Sequence, residues 1–317
     1  GVDAKSIGMG NAVSSTVDDV NATYWNPAGL INIERDEISL MHSNYFANIA
    51  NFNYVSYAKK IDSESAMGFS LIRFGVDDIM DTTQLIDNQG NIDYNRIELF
   101  SAADYAFIFS YAKRNKLLNL NFGVNAKIIR RIIGDFANSW GFGFDLGIQH
   151  DNKNGWKFGL MARDITTTYN SWSFDEDRLN DIQNALEGEN QEIPEKNEIS
   201  IPKIQLGVSK EIYLSSDYSM LAAIDLFLLF EQTNDIISTS FASINPSLGL
   251  EFAYAELVYL RLGLGNFQNE LQFDSTTELS FQPNFGIGFN LQDIEVNYAF
   301  TDIGNQSAAL YSNIFSL

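Results

Sequence analysis

Apolar and polar residues alternate one by one along most of the chain from about residue 37 onward. In Leu279–Asn290 one face carries Leu, Phe, Pro and Ile, and the other carries Ser, Gln, Asn and Gly. The same alternation returns in Leu118–Lys127 and in Trp140–Gln149. Successive side chains of a β-strand point to opposite faces, so this pattern predicts an all-β protein whose strands have one apolar and one polar face.

A soluble β-sandwich would also alternate, but its strands are typically about five or six residues long. These segments run about ten residues or more, the length that a tilted strand needs to cross a bilayer. Their polar faces carry Gly, Asn and Gln, which suit a packed lumen. We therefore predict a closed antiparallel transmembrane β-barrel of about 14 strands. The segments lie near 37–46, 51–60, 65–75, 101–113, 116–131, 137–150, 154–164, 199–212, 218–231, 242–254, 256–266, 278–290, 293–301 and 307–316.

The connections between these segments alternate in length. Outer-membrane barrels have short periplasmic turns and longer extracellular loops, which predicts the side of the membrane for each connection. The short connections are residues 58–65, 113–116, 150–156 and 290–295, and the long ones are 76–100, 165–198, 232–241 and 267–277. We expect the long, acidic loops to be extracellular.

Charge and composition remove several classes of function. The 317 residues include 41 acidic and 20 basic side chains, a net charge of −21, which is unsuited to binding nucleic acid. The chain has no Cys, and its two histidines, His42 and His150, lie in no recognisable catalytic or metal-binding motif. We therefore expect no enzyme activity, no metal and no cofactor.

Residues 1–33 lack the two-residue period and precede the first strand. They include "ATYWNPAGL" at Ala22–Leu30, where Pro27 fixes its own φ and pushes Asn26 out of the helical region. Tyr24 and Trp25 need a buried position. These features predict an N-terminal plug (residues 1–33) at the periplasmic base of a barrel formed by residues 34–317.

The N-terminal stretches "SIGMGNA" and "VDDVNATYWNPAGL" resemble the signature of the PorV/PorQ family of Bacteroidota outer-membrane barrels, which is related to FadL-type transporters. The resemblance implies a barrel with an N-terminal plug. For PorV it further implies work in the type IX secretion system, whereas FadL-like proteins move hydrophobic molecules through the lumen. The matching residues include Gly8, Met9, Gly10, Tyr24, Trp25, Asn26, Pro27, Ala28, Gly29 and Leu30.

Five charged residues fall on the predicted lumen faces of the strands. Charges at such positions usually pair with one another or with a plug, and Arg261 is the candidate partner for one of the carboxylates. A polar pathway for a solute is the alternative interpretation. The five residues are Asp145, Asp225, Glu251, Arg261 and Glu295.

The acidic segment 165–198 includes a stretch, residues 174–188, that could form a short amphipathic helix. It is either a solvated loop or a surface that docks a partner or binds calcium. In the docking hypothesis Trp172 and Phe174 are apolar anchors, and Asp175, Glu176 and Asp177 form a charged rim.

Together these observations predict an integral outer-membrane protein of a Gram-negative bacterium. We expect it to contact outer-membrane lipid and protein partners, as a docking or shuttle subunit of a type IX-like export machine. The alternatives are a FadL-type transporter of hydrophobic small molecules and an accessory barrel of another outer-membrane complex.

Overall fold

The computed structural model describes residues 1–45, 49–86, 89–152, 154–176, 195–271, 276–302 and 311–317. Strands make up most of this part of the chain. In chain order they are β1 (Glu37–Tyr45), β2 (Ala50–Lys60), β3 (Ser65–Asp81), β4 (Glu98–Asn115), β5 (Leu120–Ile133), β6 (Ala137–Asp151), β7 (Trp156–Arg163), β8 (Thr168–Phe174), β9 (Asn197–Ser200), β10 (Lys203–Tyr213), β11 (Tyr218–Leu229), β12 (Ile237–Ser238), β13 (Ser243–Tyr254), β14 (Val258–Leu271), β15 (Thr277–Leu291), β16 (Ile294–Asp302) and β17 (Tyr311–Ser316).

The strands form one antiparallel sheet that closes on itself, because β1 pairs with β2 on one side and with β17 on the other. β7 and β8 are successive parts of the seventh wall strand, and β9 and β10 of the eighth; β12 lies beside β13. The wall therefore has 14 strands in the described part of the chain. Closure removes the free sheet edges that a bilayer could not satisfy. The predicted closed antiparallel barrel is confirmed.

The outer face of the wall carries the apolar side chains predicted to face lipid. Phe281, Phe285 and Phe289 are 48%, 44% and 41% exposed, whereas Asn284, on the opposite face of the same strand, is 8% exposed. Aromatic side chains at this exposure would be unfavourable in water and are favourable in hydrocarbon. The alternation along β15 thus separates a lipid side from a lumen side.

Residues 1–33, here called the N-terminal segment, form two short helices, α1 (Ala4–Gly8) and α2 (Ala22–Trp25), and a 3-10 helix, Pro27–Asn32. A second 3-10 helix, Tyr94–Arg96, lies between β3 and β4. Pro27 occupies the first turn of its helix, where the missing N–H costs no hydrogen bond. None of the helices in the described ranges is long and apolar enough to span a bilayer.

Several expected loop boundaries differ from the structure. β3 continues to Asp81 and β14 to Leu271, beyond the predicted starts of the loops 76–100 and 267–277. Register shifts at Val76/Ile79 and at Gly265/Gln268 change the phase of the alternation, so each strand appears to stop there in the sequence. β12 lies within the predicted loop 232–241.

The segment 165–198 also differs from the expected continuous loop, because it contains β8 and the start of β9. Trp172 and Phe174 therefore lie on a wall strand, opposite Ser139 and Ala137 of β6. The helix expected over residues 174–188 falls mostly on residues 177–194, outside the described residues, and so does Asp177.

The apolar outer face predicts a depth-dependent response to charge. Phe285→Arg should destabilise the barrel by about 2–4 kcal/mol, because an arginine near the bilayer midplane is poorly solvated. Leu291→Arg is the matched control at the end of the same strand, and it should cost about 0–1 kcal/mol. Urea unfolding in lipid vesicles measures both values. Equal stability of the two variants would contradict the assignment of this face to lipid.

Candidate functional site in the barrel lumen

A row of inward-facing glycines brings the barrel wall into direct contact with the N-terminal segment. A Cβ at Gly147 would lie 2.1 Å from Asn26 Oδ1, and one at Gly159 would lie 2.3 Å from the carbonyl oxygen of Ser14. Such distances leave no room for any side chain at these wall positions. A Cβ would also lie between 2.1 and 2.6 Å from the segment at Gly68, Gly123, Gly207, Gly249 and Gly263.

Asn26 joins the N-terminal segment to the wall between β6 and β7. Its Nδ2 group donates to the carbonyl oxygens of Ser14 (2.8 Å), Ile148 (3.1 Å) and Leu160 (3.3 Å). Its Oδ1 atom accepts from the Ala28 N–H and caps the 3-10 helix. Asn26 is fully buried, so these contacts satisfy a polar group that has no access to water.

Trp25 and Tyr24 occupy different positions. Trp25 is 3% exposed and donates from Nε1 to Asp3 Oδ2 at 3.1 Å. Tyr24 packs edge-on against Trp25 (5.0 Å between ring centroids), and the Arg163 guanidinium lies over the Tyr24 ring at 4.7 Å. Burial raises the pKa of the Asp3 carboxyl to about 6, and hydrogen bonds from Ser6 partly oppose this rise.

The remaining residues of the family-like motif also lie in tight surroundings. Gly10 has φ +64°, and a Cβ there would lie 2.9 Å from the Leu264 backbone nitrogen. Both the left-handed backbone and the close approach require glycine. Met9, Ala28 and Leu30 are buried in the core that the segment shares with the wall.

Arg261 contacts two of the other charges predicted for the lumen. Its Nε lies 2.5 Å from Glu251 Oε2, and its Nη2 lies 3.7 Å from Glu295 Oε1. Nη1 donates to Asn297 Oδ1 at 2.6 Å. Arg261 is 1% exposed, and the two carboxylates offset the cost of burying its charge.

Asp225 and Asp145 are also buried, but they have different partners. Asp225 accepts from the Ser14 N–H (3.0 Å) and from Gln205 Nε2 (2.6 Å), so it anchors the N-terminal segment directly. Asp145 Oδ1 lies 2.7 Å from Lys127 Nζ. The sequence analysis does not identify Lys127 as a lumen charge. Its position on the polar face of a predicted strand is the feature of the sequence that indicates this role.

On the extracellular side of the N-terminal segment, inward side chains of β1–β5 form an apolar patch beside the inward ion pair of Asp104 and Arg131. The Phe52 ring lies 6.3 Å from the Tyr45 ring and 6.1 Å from the Phe74 ring. Phe74 is 37% exposed although it faces inward, so it borders open lumen. We call this set the apolar lumen face: Tyr45, Phe52, Ile72, Phe74, Ala106 and Ile129.

The opposite side of the lumen, on β13, β15 and β16, is polar. Gln282 Nε2 donates to Thr301 Oγ1 at 2.6 Å, and Asn245 Nδ2 donates to Asp235 Oδ1 at 2.6 Å. Because these amides bond to neighbouring groups, they do not need a solute to satisfy them. The lumen therefore offers an apolar surface on one side only.

Trp172 and Phe174 face inward at the extracellular end of the lumen. Their rings are stacked 6.2 Å apart, and Trp172 Nε1 donates to Glu198 Oε2 at 3.1 Å. The Arg131 guanidinium lies 5.0 Å from the Trp172 ring centroid. These contacts occupy both side chains within the wall. The Asp175 N–H donates to the Phe136 carbonyl. Glu176 is the last described residue before residues 177–194, which the structure does not describe.

The wall is interrupted near the middle of β6. Residues 164–167 separate β7 from β8, and residues 201–202 separate β9 from β10. Arg163 still pairs with Lys203 on one side of this interruption, and Thr168 pairs with Ser200 on the other. We call residues 164–167 and 201–202 the wall break.

No family model matches the chain, and no curated protein matches it. Solved structures match over almost its full length. The Pseudomonas putida toluene transporter TodX has a TM-score of 0.62 at 14% identity, covering 100% of this chain and 96% of TodX. The CymD monoaromatic hydrocarbon channel has a TM-score of 0.60 at 11% identity, covering 100% and 95%. A Pseudomonas aeruginosa FadL homologue has a TM-score of 0.54 at 10% identity, covering 99% and 97%.

At these identities the comparisons show a shared fold. They support the expected FadL-like architecture, and they do not support the narrower PorV/PorQ assignment or its Bacteroidota origin. The fold and the apolar outer face identify an integral outer-membrane barrel of the Gram-negative type.

The glycine contacts predict that one added methyl group displaces the N-terminal segment. In Gly159→Ala the new Cβ would overlap the Ser14 carbonyl, so we expect the segment to shift. Gly75→Ala is the control, since its Cβ would meet only β3 and β4 atoms, at 3.0 Å or more. The chain has no Cys, so Ala12→Cys, at a fully buried position, provides a single thiol reporter. Maleimide should label this thiol at least about tenfold faster in Gly159→Ala, which corresponds to 1.4 kcal/mol; equal rates would contradict the tight fit.

Proposed function

We propose that this protein is an outer-membrane channel for hydrophobic small molecules, with the N-terminal segment acting as its plug. The observation that carries the proposal is the apolar lumen face, which borders open lumen through the partly exposed ring of Phe74. Ligand sites for apolar molecules are concave and lined mainly by aromatic and aliphatic side chains. The names of the matching structures, a toluene transporter and a monoaromatic hydrocarbon channel, support the same class of solute.

The N-terminal segment determines where such a solute would stop. Inward glycines hold the segment against the wall in the periplasmic half, and Tyr24 lies at the boundary with the apolar lumen face, near Tyr45. A solute entering from outside would therefore contact aromatic rings before it reaches the segment. It could continue only by displacing the segment or by leaving through the wall.

The wall break supports the second route. It lies beside the middle of β6, where Phe144 is 51% exposed on the lipid side, and Ile165 within the break is 37% exposed. The free energy of a hydrophobic solute falls when it enters hydrocarbon and rises when it enters water. Sideways exit at this level therefore suits the proposed cargo.

The docking hypothesis has less residue-level support. Its apolar anchors, Trp172 and Phe174, face the lumen and are engaged with each other and with Glu198. A docking surface needs side chains that a partner can reach. No contact among the described residues favours a protein-export role.

Uptake by whole cells tests the proposed function. A Gram-negative host that expresses the protein should take up labelled toluene faster than the same host with an empty vector. Phe52→Asp should reduce this gain about tenfold, because a charge in place of this partly buried ring removes about 1.4 kcal/mol of apolar interaction. Gln282→Asn, on the polar side, is the control and should retain uptake. Equal uptake by cells with the empty vector and by cells that carry the protein in their outer membrane would rule out this channel activity.

A further inference from the structure

The wall break has lost much of its backbone pairing and is held together by side chains. Gly143, Phe144 and Asp145 of β6 have no cross-strand partners in β7 or β8. One backbone hydrogen bond, from the Ile165 N–H to the Phe144 carbonyl at 3.0 Å, joins the two sides there. A second bond runs from the Asp164 N–H to the Asp145 side chain at 2.9 Å.

Lys127 of β5 binds the carboxylates on both sides of the break. Its Nζ lies 2.7 Å from Asp145 Oδ1, in the wall strand, and 2.5 Å from Asp164 Oδ1, in the break. The three side chains are 12%, 1% and 14% exposed. Thr168 Oγ1 adds a hydrogen bond to Asp164 from the β8 side. One ammonium group thus spans the interruption.

The local backbone would relax if this contact were lost. Asp164 has φ +55° and Thr167 has φ +61°, both in the left-handed region that side-chain-bearing residues seldom adopt. Strain of this kind persists only where the surroundings impose it. A buried ion pair that loses one partner leaves an uncompensated charge, which favours a rearrangement that exposes it.

The same cluster is linked to the N-terminal segment. Asn125 Nδ2 donates to Asp145 Oδ2 at 3.2 Å and to the Thr23 carbonyl at 3.0 Å. Ser110 Oγ donates to Asn125 Oδ1 at 2.7 Å and fixes the amide orientation. Thr23 directly precedes Tyr24, which lies near Tyr45 of the apolar lumen face. A movement at Tyr24 therefore reaches Asp145 through one side chain.

We propose that Lys127, Asp145 and Asp164 form a latch that holds the wall break closed, and that Asn125 couples this latch to the position of the N-terminal segment. The role of the latch in transport rests on the proposed function. A hydrophobic solute that displaces Tyr24 would weaken the contacts of the latch. The latch itself is a property of the closed wall and exists without any solute.

The first experiment uses no solute. A single Cys replaces Ala106, which faces the lumen, in a chain that otherwise has none, and the protein is placed in vesicles that contain a maleimide-bearing lipid. The reagent is confined to the bilayer, so it reaches the lumen only through the wall. Lys127→Met should raise the labelling rate at least tenfold over the parent. Lys157→Met, the same change at an inward lysine of β7 away from the wall break, should leave it unchanged. Equal rates in Lys127→Met and Lys157→Met would overturn the latch.

A second variant keeps the test decisive if Lys127→Met does not fold. Phe144→Cys with Ile165→Cys places two thiols at residues joined by a backbone hydrogen bond, so oxidation should lock the break. Toluene uptake by cells should fall to the vector level in the locked protein and recover on reduction. Uptake that persists in the locked protein would overturn the latch while leaving the channel function intact. Absence of uptake in the parent would reject the channel function, and the labelling experiment would still decide on the latch.

The coupling has its own measurement. Saturating toluene should accelerate labelling of the Ala106→Cys reporter in the parent. In Asn125→Ala this acceleration should disappear, because the link between Thr23 and Asp145 is cut. An undiminished acceleration in Asn125→Ala would overturn the coupling.

Discussion

The contact between the N-terminal segment and the glycines of the wall is the constraint on which the lumen depends. At Gly147, Gly159 and Gly263 the segment lies so close that a single methyl group would overlap it. Protein interiors tolerate few such overlaps without movement of the backbone. The glycines therefore set both the position of the segment and the level at which the lumen is filled.

This arrangement makes the two halves of the lumen different in chemistry. In the periplasmic half, small inward residues meet the backbone of the segment, and buried polar groups such as Asn26 and Asp225 bond to it. In the extracellular half the inward residues are larger, and Phe74 borders open space. The filled half needs polar partners because its backbone groups are shielded from water. The open half needs none, so aromatic rings can line it.

Much of this fold was predictable from the sequence because side-chain alternation follows directly from strand geometry. The strand number, the closed sheet and the lipid face of β15 were obtained in this way. The segment 165–198 was misassigned because the alternation changes phase across the wall break. Arg163 faces inward at an odd position and Thr168 at an even one, so the sequence pattern alone predicts Trp172 and Phe174 as loop residues.

The candidate site was only partly predictable. Charges on strand faces are visible in a sequence, which is why Arg261 and Asp145 were found. Lys127 was not, since its importance comes from Asp164, whose position depends on the wall break. The apolar lumen face was also missed. Phe52 and Phe74 lie on faces that carry mainly small or polar residues elsewhere, and the register between β2 and β3 brings them together.

The distribution of charge inside the barrel bears on the kind of solute it suits. Arg261 is bound by Glu251 and Glu295, Lys127 by Asp145 and Asp164, and Asp225 by the N-terminal segment. A polar solute would need charges that are free to exchange partners, whereas removing a partner from any of these groups leaves a buried charge unsatisfied. A hydrophobic solute makes no such demand. For the proposed channel function, these ionic contacts would disfavour a polar solute and leave the apolar lumen face as the surface for a hydrophobic one.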